Sequence, residues 1–408
     1  MKFNKWTVGL ASVGVISLAS TVHADEQMSQ VQTALSQTTL SGYVDTAMQY
    51  NPGTDQNAAP LGVTHANIPT YAFAKNDGFS LNAVDIALDK PEDSSQWAAG
   101  YRVEVMAGPN SVGVGAGAGL ALRQGFVRLH TPIGGNGIDW QVGVWDSPIG
   151  YESNSDPLNP NYTRSYGYSI EPTTMTGVLG TYKVNDEISI SGGISDTPGG
   201  LGSIGSSFGA PVGTTTVYES QKTYMGVVSL TAPDSMGFMK GATATGGIVH
   251  GVDSATAPGH GTTTSLYAGV TMPTPVTQLK IGAAFDYLFE YQAGASGGQG
   301  DDVWTIGVYA TYQATDKFSL NVRGEYLNDS ANPTDVVNLY DSSPTDGSDT
   351  GEELTFTAQY NLWANVMTRG EFRWDHVTHG NQFGADPTTG AAYRNSDFLL
   401  ALNIIYQF

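Results

Sequence analysis

Charged side chains share one face of four segments of the chain that alternate with a period of two, opposite a row of apolar side chains. The segments span residues 97–107, 279–290, 318–327 and 365–375. A period of two sorts each segment into two faces, whereas helical spacing would scatter both sets around an axis. The charged faces comprise Arg102, Glu104, Lys280, Asp286, Arg323, Glu325, Arg369, Glu371, Arg373 and Asp375.

Charges of both signs on one face of a strand indicate contact with water. Buried in protein, these side chains would cost a large free energy of desolvation. Facing a water-filled pore, they cost little and set an electric field across it. We therefore interpret these residues as pore-lumen residues.

Other patterns that could indicate catalysis, phosphate binding or a metal centre are weak. The glycines that alternate between Gly113 and Gly119 precede neither a Lys-Ser/Thr pair nor a helical pattern, which argues against a phosphate-binding loop. His376 and His379 lie beside Asp375, but three residues apart on a strand or loop they need not converge. No Gly-x-Ser-x-Gly motif occurs. We expect no catalytic residue, no cofactor and no metal site.

The third long connection, residues 148–174, combines tyrosines, asparagines and charged residues. We hypothesise that this connection folds into the lumen and narrows it. The alternative is that it packs on the rim. An inward loop would place four side chains near the pore constriction: Tyr162, Arg164, Tyr166 and Glu171.

Sixteen strand-length segments must position these side chains, and the fourth and ninth have the weakest patterns. They lie near residues 39–49, 79–89, 96–107, 119–130, 138–147, 175–184, 187–195, 221–231, 236–249, 262–272, 277–290, 302–313, 316–327, 351–361, 364–375 and 398–408. Seven short connections alternate with eight long ones. This alternation predicts an all-β fold, a transmembrane antiparallel β-barrel of about sixteen strands with short periplasmic turns and long extracellular loops.

The segment Phe398–Phe408 has the pattern of a transmembrane strand, because one of its faces is apolar throughout. We predict that it pairs with the strand near residues 39–49 and so removes the edges of the sheet. Tyr406 and Phe408 would then serve as interfacial anchors and, as a resemblance to outer-membrane proteins in general implies, in membrane assembly. A core strand of a soluble β-sandwich is the alternative, but a sandwich has no reason to alternate short and long connections.

The first residues have the pattern of an export signal. Lys2 and Lys5 precede a mostly apolar stretch over residues 7–19, and Val22-His23-Ala24 forms a small-residue cleavage site. We predict a signal peptide over residues 1–24, removed after Ala24. A periplasmic N-terminal extension over residues 25–38 and a barrel over residues 39–408 would follow.

Composition excludes several classes of protein and partner. The chain carries 38 acidic and 17 basic residues and a formal net charge of −21, which argues against nucleic acid as a partner. It contains no cysteine, so neither a disulfide framework nor a thiolate metal site can form. No stretch reaches 18 apolar residues, and a membrane-spanning helix is therefore not expected.

The chain resembles the OmpL-like β-barrel porins, a family of bacterial outer-membrane channels. The resemblance rests on Leu40-Ser41-Gly42-Tyr43-Val44-Asp45, on Gly100-Tyr101-Arg102-Val103-Glu104-Val105-Met106 and most specifically on the third long connection. It extends loosely to Phe408. The family often has an aromatic residue or His-Thr-Gly before the sixth strand, where this chain has Met175-Thr176-Gly177, so no role is assigned to a histidine there.

The resemblance implies an outer-membrane porin of a Gram-negative bacterium, through which small hydrophilic solutes and ions diffuse passively. A substrate-selective channel, for example for a sugar, is a second possibility. A barrel closed by its loops that acts as a surface adhesin or structural anchor is a third. Expected partners are outer-membrane lipids, small solutes, the barrel-assembly machinery and a possible homotrimer. We do not expect an enzyme.

Overall fold

Sixteen antiparallel strands close into a barrel in the computed structural model of the protein. The structure describes residues 37–52, 75, 77–113, 119–196, 222–253, 261–291, 300–329, 349–378, 380–381, 383 and 394–408. The strands are β1 Thr39–Tyr50, β2 Gly78–Lys90, β3 Ala98–Ala107, β4 Leu120–Thr131, β5 Ile138–Asp146, β6 Thr174–Lys183, β7 Ile188–Ser195, β8 Thr223–Thr231, β9 Thr243–Asp253, β10 Gly261–Pro273, β11 Leu279–Tyr291, β12 Gly300–Gln313, β13 Phe318–Asp329, β14 Asp349–Trp363, β15 Val366–Val377 and β16 Ser396–Gln407. The predicted signal peptide and residues 25–36 of the predicted extension lie outside the described residues.

The predicted barrel of sixteen strands is confirmed, but the predicted start of the ninth strand at residue 236 is wrong. Residues Asp234–Met239 form a 3-10 helix, and β9 begins only at Thr243. Pro233 precedes this helix, and Gly237 has a φ of 61°, which is not compatible with an extended strand. The apolar residues of this stretch imitate a strand pattern in a segment that turns.

The two ends of the barrel differ in the length of their connections. At one end, which we call the short-turn end, consecutive strands are joined by turns such as 184–187 and 314–317. At the other, the long-loop end, the connections include 51–77 and 147–173. Each strand pairs with its neighbours in chain order, and β16 pairs with β1.

The outer face of the barrel is apolar, as β16 illustrates. Leu400, Leu402 and Ile404 are each nearly half exposed, whereas Leu399 and Ile405, which point inward, are fully buried. Such a band of exposed apolar side chains suits contact with lipid. Among the described residues, none of the helices has the length and apolar character needed to cross a bilayer.

The β1–β16 seam ends at Phe408. The backbone N–H of Gly42 donates to the carbonyl of Phe408 at 3.0 Å, and the N–H of Phe408 donates to the carbonyl of Gly42 at 3.0 Å. The rings of Tyr406 and Phe408 are stacked with their centroids 6.5 Å apart. Both aromatic residues thus lie at the short-turn end of the seam.

Candidate functional site

The third long connection enters the barrel. Residues 147–173, which we call the inner loop, contain a 3-10 turn at Asp156–Leu158 and a short helix, α1, at Tyr166–Ile170. The Asp156 N–H donates to the Tyr43 hydroxyl of β1 at 3.2 Å, and the Thr271 hydroxyl of β10 donates to the Tyr151 hydroxyl at 2.9 Å. Since β1 and β10 lie on opposite sides of the barrel, the inner loop spans its interior.

The first part of the inner loop, which contains Ile149 and Tyr151 and which we call the first arm, packs against an apolar part of the inner wall. Tyr151 stacks on Tyr309 with ring centroids 4.1 Å apart. A Cβ atom at Gly282 would overlap the Tyr151 hydroxyl, so only glycine leaves room for this ring on the wall. The apolar cluster in which this arm takes part comprises Phe126, Trp145, Ile149, Met175, Leu179, Met225, Val227, Val249, Tyr267, Ala284 and Tyr309, with Tyr151 packed against it.

The rest of the inner loop from Glu152 onward, which we call the second arm, contacts the inward faces of β13, β14 and β15. We call these three faces the charged sector. The guanidinium of Arg323 on β13 is fully buried. Its Nη1 donates to Glu152 Oε1 at 2.7 Å and to the Thr163 carbonyl at 2.8 Å, while its Nε donates to Glu353 Oε2 at 3.1 Å. The Arg323 guanidinium thus joins β13 and β14 to two points of the inner loop, Glu152 and Thr163.

Two further arginines of β15 bind carbonyl oxygens of the inner loop. Arg369 Nη1 donates to the carbonyls of Asn159 at 2.9 Å and Asn161 at 2.8 Å. Arg373 Nη1 donates to the carbonyl of Arg164 at 2.6 Å. Because buried carbonyl groups need donors, these guanidinium groups replace the water that an extended loop would otherwise bind.

Carboxylates of the charged sector accept the N–H groups of the same arm. Glu371 accepts from the N–H of Tyr162 at 2.6 Å, from the N–H of Thr163 at 2.9 Å and from the Thr163 hydroxyl at 2.6 Å. Glu325 accepts from the N–H of Tyr166 at 2.8 Å, where α1 begins. The wall therefore binds both the donors and the acceptors of the loop backbone.

The side chains of Tyr162, Arg164 and Tyr166 lie inside the barrel and are buried. Arg164 Nη2 donates to Asp156 Oδ1 at 2.6 Å within the loop. The Tyr166 hydroxyl donates to Asp375 Oδ1 at 2.7 Å. The Tyr162 hydroxyl contacts the inward faces of β1 and β2. The side chains of Tyr162 and Tyr166 hold the loop to the wall, whereas that of Arg164 joins two parts of the loop.

The ten residues predicted for the lumen all occupy inward-facing positions of their strands. Lys280 is exposed and Arg102 is half-buried, whereas the other eight are buried. Glu104 binds Arg123 of the wall, and the remaining seven contact the inner loop. The sequence predicted that water would cover these charges, but the inner loop covers most of them. Alternation shows which face of a strand a residue occupies and not what packs on that face. The residues that contact the loop are Asp286, Arg323, Glu325, Arg369, Glu371, Arg373 and Asp375.

Sequence reasoning missed several charged residues that complete this network. Arg123 of β4 is buried and its Nη2 lies 2.7 Å from Asp146. Glu152, Asp156 and Glu353 are buried partners of the arginines already described. Glu353 lies in a segment that alternates and could have been found, but the partners in the loop carry no periodic signal.

Half-buried hydroxyl groups line the inner wall where the inner loop does not bind it, toward the short-turn end of β6 to β9. The hydroxyls of Thr181 and Ser191 are 2.9 Å apart, and those of Ser229 and Thr245 are 3.3 Å apart. A polar cavity of about 190 Å³ lies beside the loop, and Asp146, Asn154 and Glu171 are among its lining residues.

Glu171 lies at the end of the inner loop beside Asp286 of β11. Burial and the neighbouring Asp286 carboxylate raise the pKa of Glu171 well above its ordinary value of 4.5. The folded protein therefore favours the protonated carboxyl. The stability that this group contributes is complete at acid pH and is lost as the pH rises through the raised pKa.

We expect the Glu171→Gln variant to lose this alkaline fall in stability, because a neutral amide imitates the protonated carboxyl. Unfolding of the purified barrel in urea, followed between pH 4 and pH 10 by electrophoretic mobility without heating, measures it. Asp186→Asn, at an exposed position of the turn between β6 and β7, is the control and should keep the pH dependence of the wild type. An unchanged alkaline fall in Glu171→Gln would contradict the expected role.

Comparison with known proteins identifies one family and a set of similar folds. A family model described as "Putative beta-barrel porin-2, OmpL-like" matches residues 37–408. Comparison with curated protein sequences gives no match.

Three solved structures of outer-membrane proteins share the fold. A trimer form of OmpT from Vibrio cholerae superposes with a TM-score of 0.56 at 14% identity, covering 91% of this chain and 99% of its own. An anion-selective porin from Comamonas acidovorans gives 0.56 at 11% identity, with 91% and 99% coverage. The channel DcaP of Acinetobacter baumannii gives 0.57 at 12% identity, with 91% and 97% coverage. At these identities the likeness concerns the fold alone.

Proposed function

Because the chain belongs to the OmpL-like family of β-barrel porins of the outer membrane, we propose that it forms a water-filled channel for passive diffusion of small hydrophilic solutes and ions. The observation that carries this proposal is the inner loop, which spans the lumen and is bound to the wall on both sides. In this proposal the loop narrows the barrel without sealing it, and the half-buried hydroxyl groups nearer the short-turn end of β6 to β9 line part of the passage. The proposed role is that of a channel and not of an enzyme.

In this proposal the constriction is formed by the inner loop and the wall that faces it. Tyr162, Arg164 and Tyr166 fix the loop in place, and Glu171 lines the polar cavity. The accessible charges of Lys280 and Arg102 lie on the inward face of the wall toward its short-turn end. Solutes would pass beside the loop and then along the hydroxyl groups that lie nearer the short-turn end of β6 to β9.

Recordings of single channels in planar bilayers test the function. Ohmic conductance that rises with salt concentration without saturation is expected for passive diffusion. Block by one class of solute, such as a maltooligosaccharide, would instead favour a substrate-selective channel. Absence of conductance from correctly folded protein would contradict a channel and favour an adhesin or structural anchor.

Lys75 gives the proposed channel a measurable pH dependence. Its Nζ donates to Asn82 Oδ1 at 2.8 Å and to the Tyr162 hydroxyl at 3.3 Å, beside the inner loop. Burial lowers the pKa of Lys75 from 10.5 to about 8. Raising the pH from 7 to 9 therefore removes a positive charge next to the constriction, and we expect selectivity for K⁺ over Cl⁻ to rise.

The reversal potential in a KCl gradient measures this selectivity. We expect Lys75→Met to be more cation-selective at pH 7 and to lose most of the change between pH 7 and pH 9. Lys280→Met, which removes an exposed lumen charge, is the matched control and should keep the pH dependence. A Lys75→Met channel with the pH response of the wild type would exclude Lys75 as its source.

The remaining partners follow from the location in the outer membrane. We propose that lipids contact the apolar outer face, and that the barrel-assembly machinery recognises the strand that carries Tyr406 and Phe408. A homotrimer is proposed because one protein of the same fold is described in a trimer form. Closure of the conductance in three equal steps would be its signature, since each barrel has its own lumen.

A further inference from the structure

A histidine and two carboxylates converge at the short-turn end of the barrel, far from the charged sector. Glu92 belongs to the turn between β2 and β3, His130 to the end of β4 and Asp139 to the start of β5. One potential ligand atom from each residue lies within 4.8 Å of the others. Ligand atoms of a tetrahedral zinc ion are about 3.4 Å apart, so side-chain movements of about 1 Å would complete such a site.

The orientation of His130 points its Nδ1 atom into this cluster. Nδ1 lies 2.6 Å from Asp139 Oδ1. The Cε1 and Nε2 atoms of the ring pack against Gly137. The φ of Gly137 is +80°, and a Cβ atom there would overlap the ring. The Gly137 turn therefore leaves Nδ1 as the nitrogen available to a metal ion, which would replace the proton shared with Asp139.

Arg128 and Lys183 are the arginine and lysine side chains near the two carboxylates of the cluster. Arg128 binds both oxygens of Asp89, at 2.8 Å and 2.9 Å. Lys183 is the nearest other cation among the salt bridges described, with its Nζ 3.8 Å from Asp139 Oδ2. Because the Lys183 side chain is 63% exposed, it can move away when another cation binds Asp139.

We propose that Glu92, His130 and Asp139 bind a divalent transition-metal ion of the zinc class at the periplasmic mouth of the barrel. One imidazole nitrogen and two carboxylate oxygens suit zinc, and water would complete the coordination of a half-exposed, exchangeable ion. Binding changes the charge of the ligand set from −2 to 0 and so weakens the attraction of the mouth for cations. Binding of the metal ion does not require the barrel to conduct ions.

Calorimetric titration of the purified, folded barrel without a polyhistidine tag tests the proposal, with Zn²⁺ as the probe. The wild type should bind one Zn²⁺ per chain with saturation at pH 7. His130→Gln and Glu92→Gln should each weaken binding at least about tenfold. Lys183→Met should tighten it about fivefold, because a competing positive charge is removed.

His250→Gln is the control, since His250 is an exposed histidine of β9. Its affinity for Zn²⁺ should equal that of the wild type. Binding that is unsaturable, or that persists unchanged in His130→Gln, would overturn the proposal. Correct folding of each variant, shown by its electrophoretic mobility without heating, ensures that lost binding reports lost ligands. Since the assay measures binding and not current, its outcome is independent of the proposed channel function.

Discussion

Replacing Arg323 by alanine should release the second arm of the inner loop and destabilise the folded barrel by about 3–5 kcal/mol. The fully buried guanidinium donates to Glu152, Glu353 and the carbonyl of Thr163. Without it, two carboxylates remain buried with too few donors, and a carbonyl of the loop loses its partner. The loop can relieve this cost by moving away from the wall, so that its polar groups reach water.

Two measurements follow the effect of the Arg323→Ala substitution. The temperature at which the barrel unfolds in detergent should fall, and the single-channel current should become larger and noisier. Arg128→Ala is the matched control, because this partly exposed arginine binds Asp89 at the short-turn end. We expect the control to change stability by at most about 1 kcal/mol and to leave the current unchanged. A quiet current of wild-type amplitude in Arg323→Ala would show that other contacts suffice to hold the loop.

Replacing Glu371 by alanine should destabilise the folded barrel by about 3 kcal/mol. Glu371 accepts hydrogen bonds from the same part of the loop to which Arg323 donates them. Its carboxylate accepts from the N–H groups of Tyr162 and Thr163 and from the Thr163 hydroxyl. The alanine variant buries two N–H groups without an acceptor. Glu371→Gln keeps one acceptor oxygen, so its stability should lie between those of the alanine variant and the wild type.

Conductance separates release of the loop from general loss of stability in this series. Glu104→Gln is the control, because Glu104 is buried and binds Arg102 and Gln124 of the wall. It should lower stability without increasing the current. Glu371→Ala should change both, and a current like that of Glu104→Gln would contradict an anchoring role.

A double-mutant cycle links the two anchors. Arg323 and Glu371 both bind Thr163, from its carbonyl and from its N–H respectively. Once either anchor is lost the loop is partly released, so we expect the double variant to lose less stability than the sum of the single losses. Additive losses would mean that the two residues hold the loop independently.

Much of the barrel could be predicted because its strands have a local signal. In β13, Arg323 and Glu325 point inward and Leu320 and Tyr326 outward, as a period of two requires. The weak fourth segment is also a strand, β4. The ninth was misplaced at its start because Pro233 and Gly237 end the extended backbone there.

The candidate site was predicted only in outline because its contacts are not local. The sequence predicted an inward loop and inward charges, but not that Tyr151 would stack on Tyr309. The contact of this ring with Gly282 could not be predicted without knowing which strand faces the loop. Alternation likewise assigned Arg369 to the interior but could not show that carbonyl groups of the loop cover it.

The anchors of the inner loop also bear on the order in which the protein folds. Tyr162 and Glu371 are separated by 209 residues in the chain, and Ser165 and Glu152 by only 13. Contacts of such long range form late, because the chain between them must be ordered first. The loop therefore cannot complete its docking until β13 to β15 have entered the sheet. Narrowing of the lumen then becomes a late folding event, and a chain stalled before it would expose unpaired buried charges that quality-control proteases could recognise.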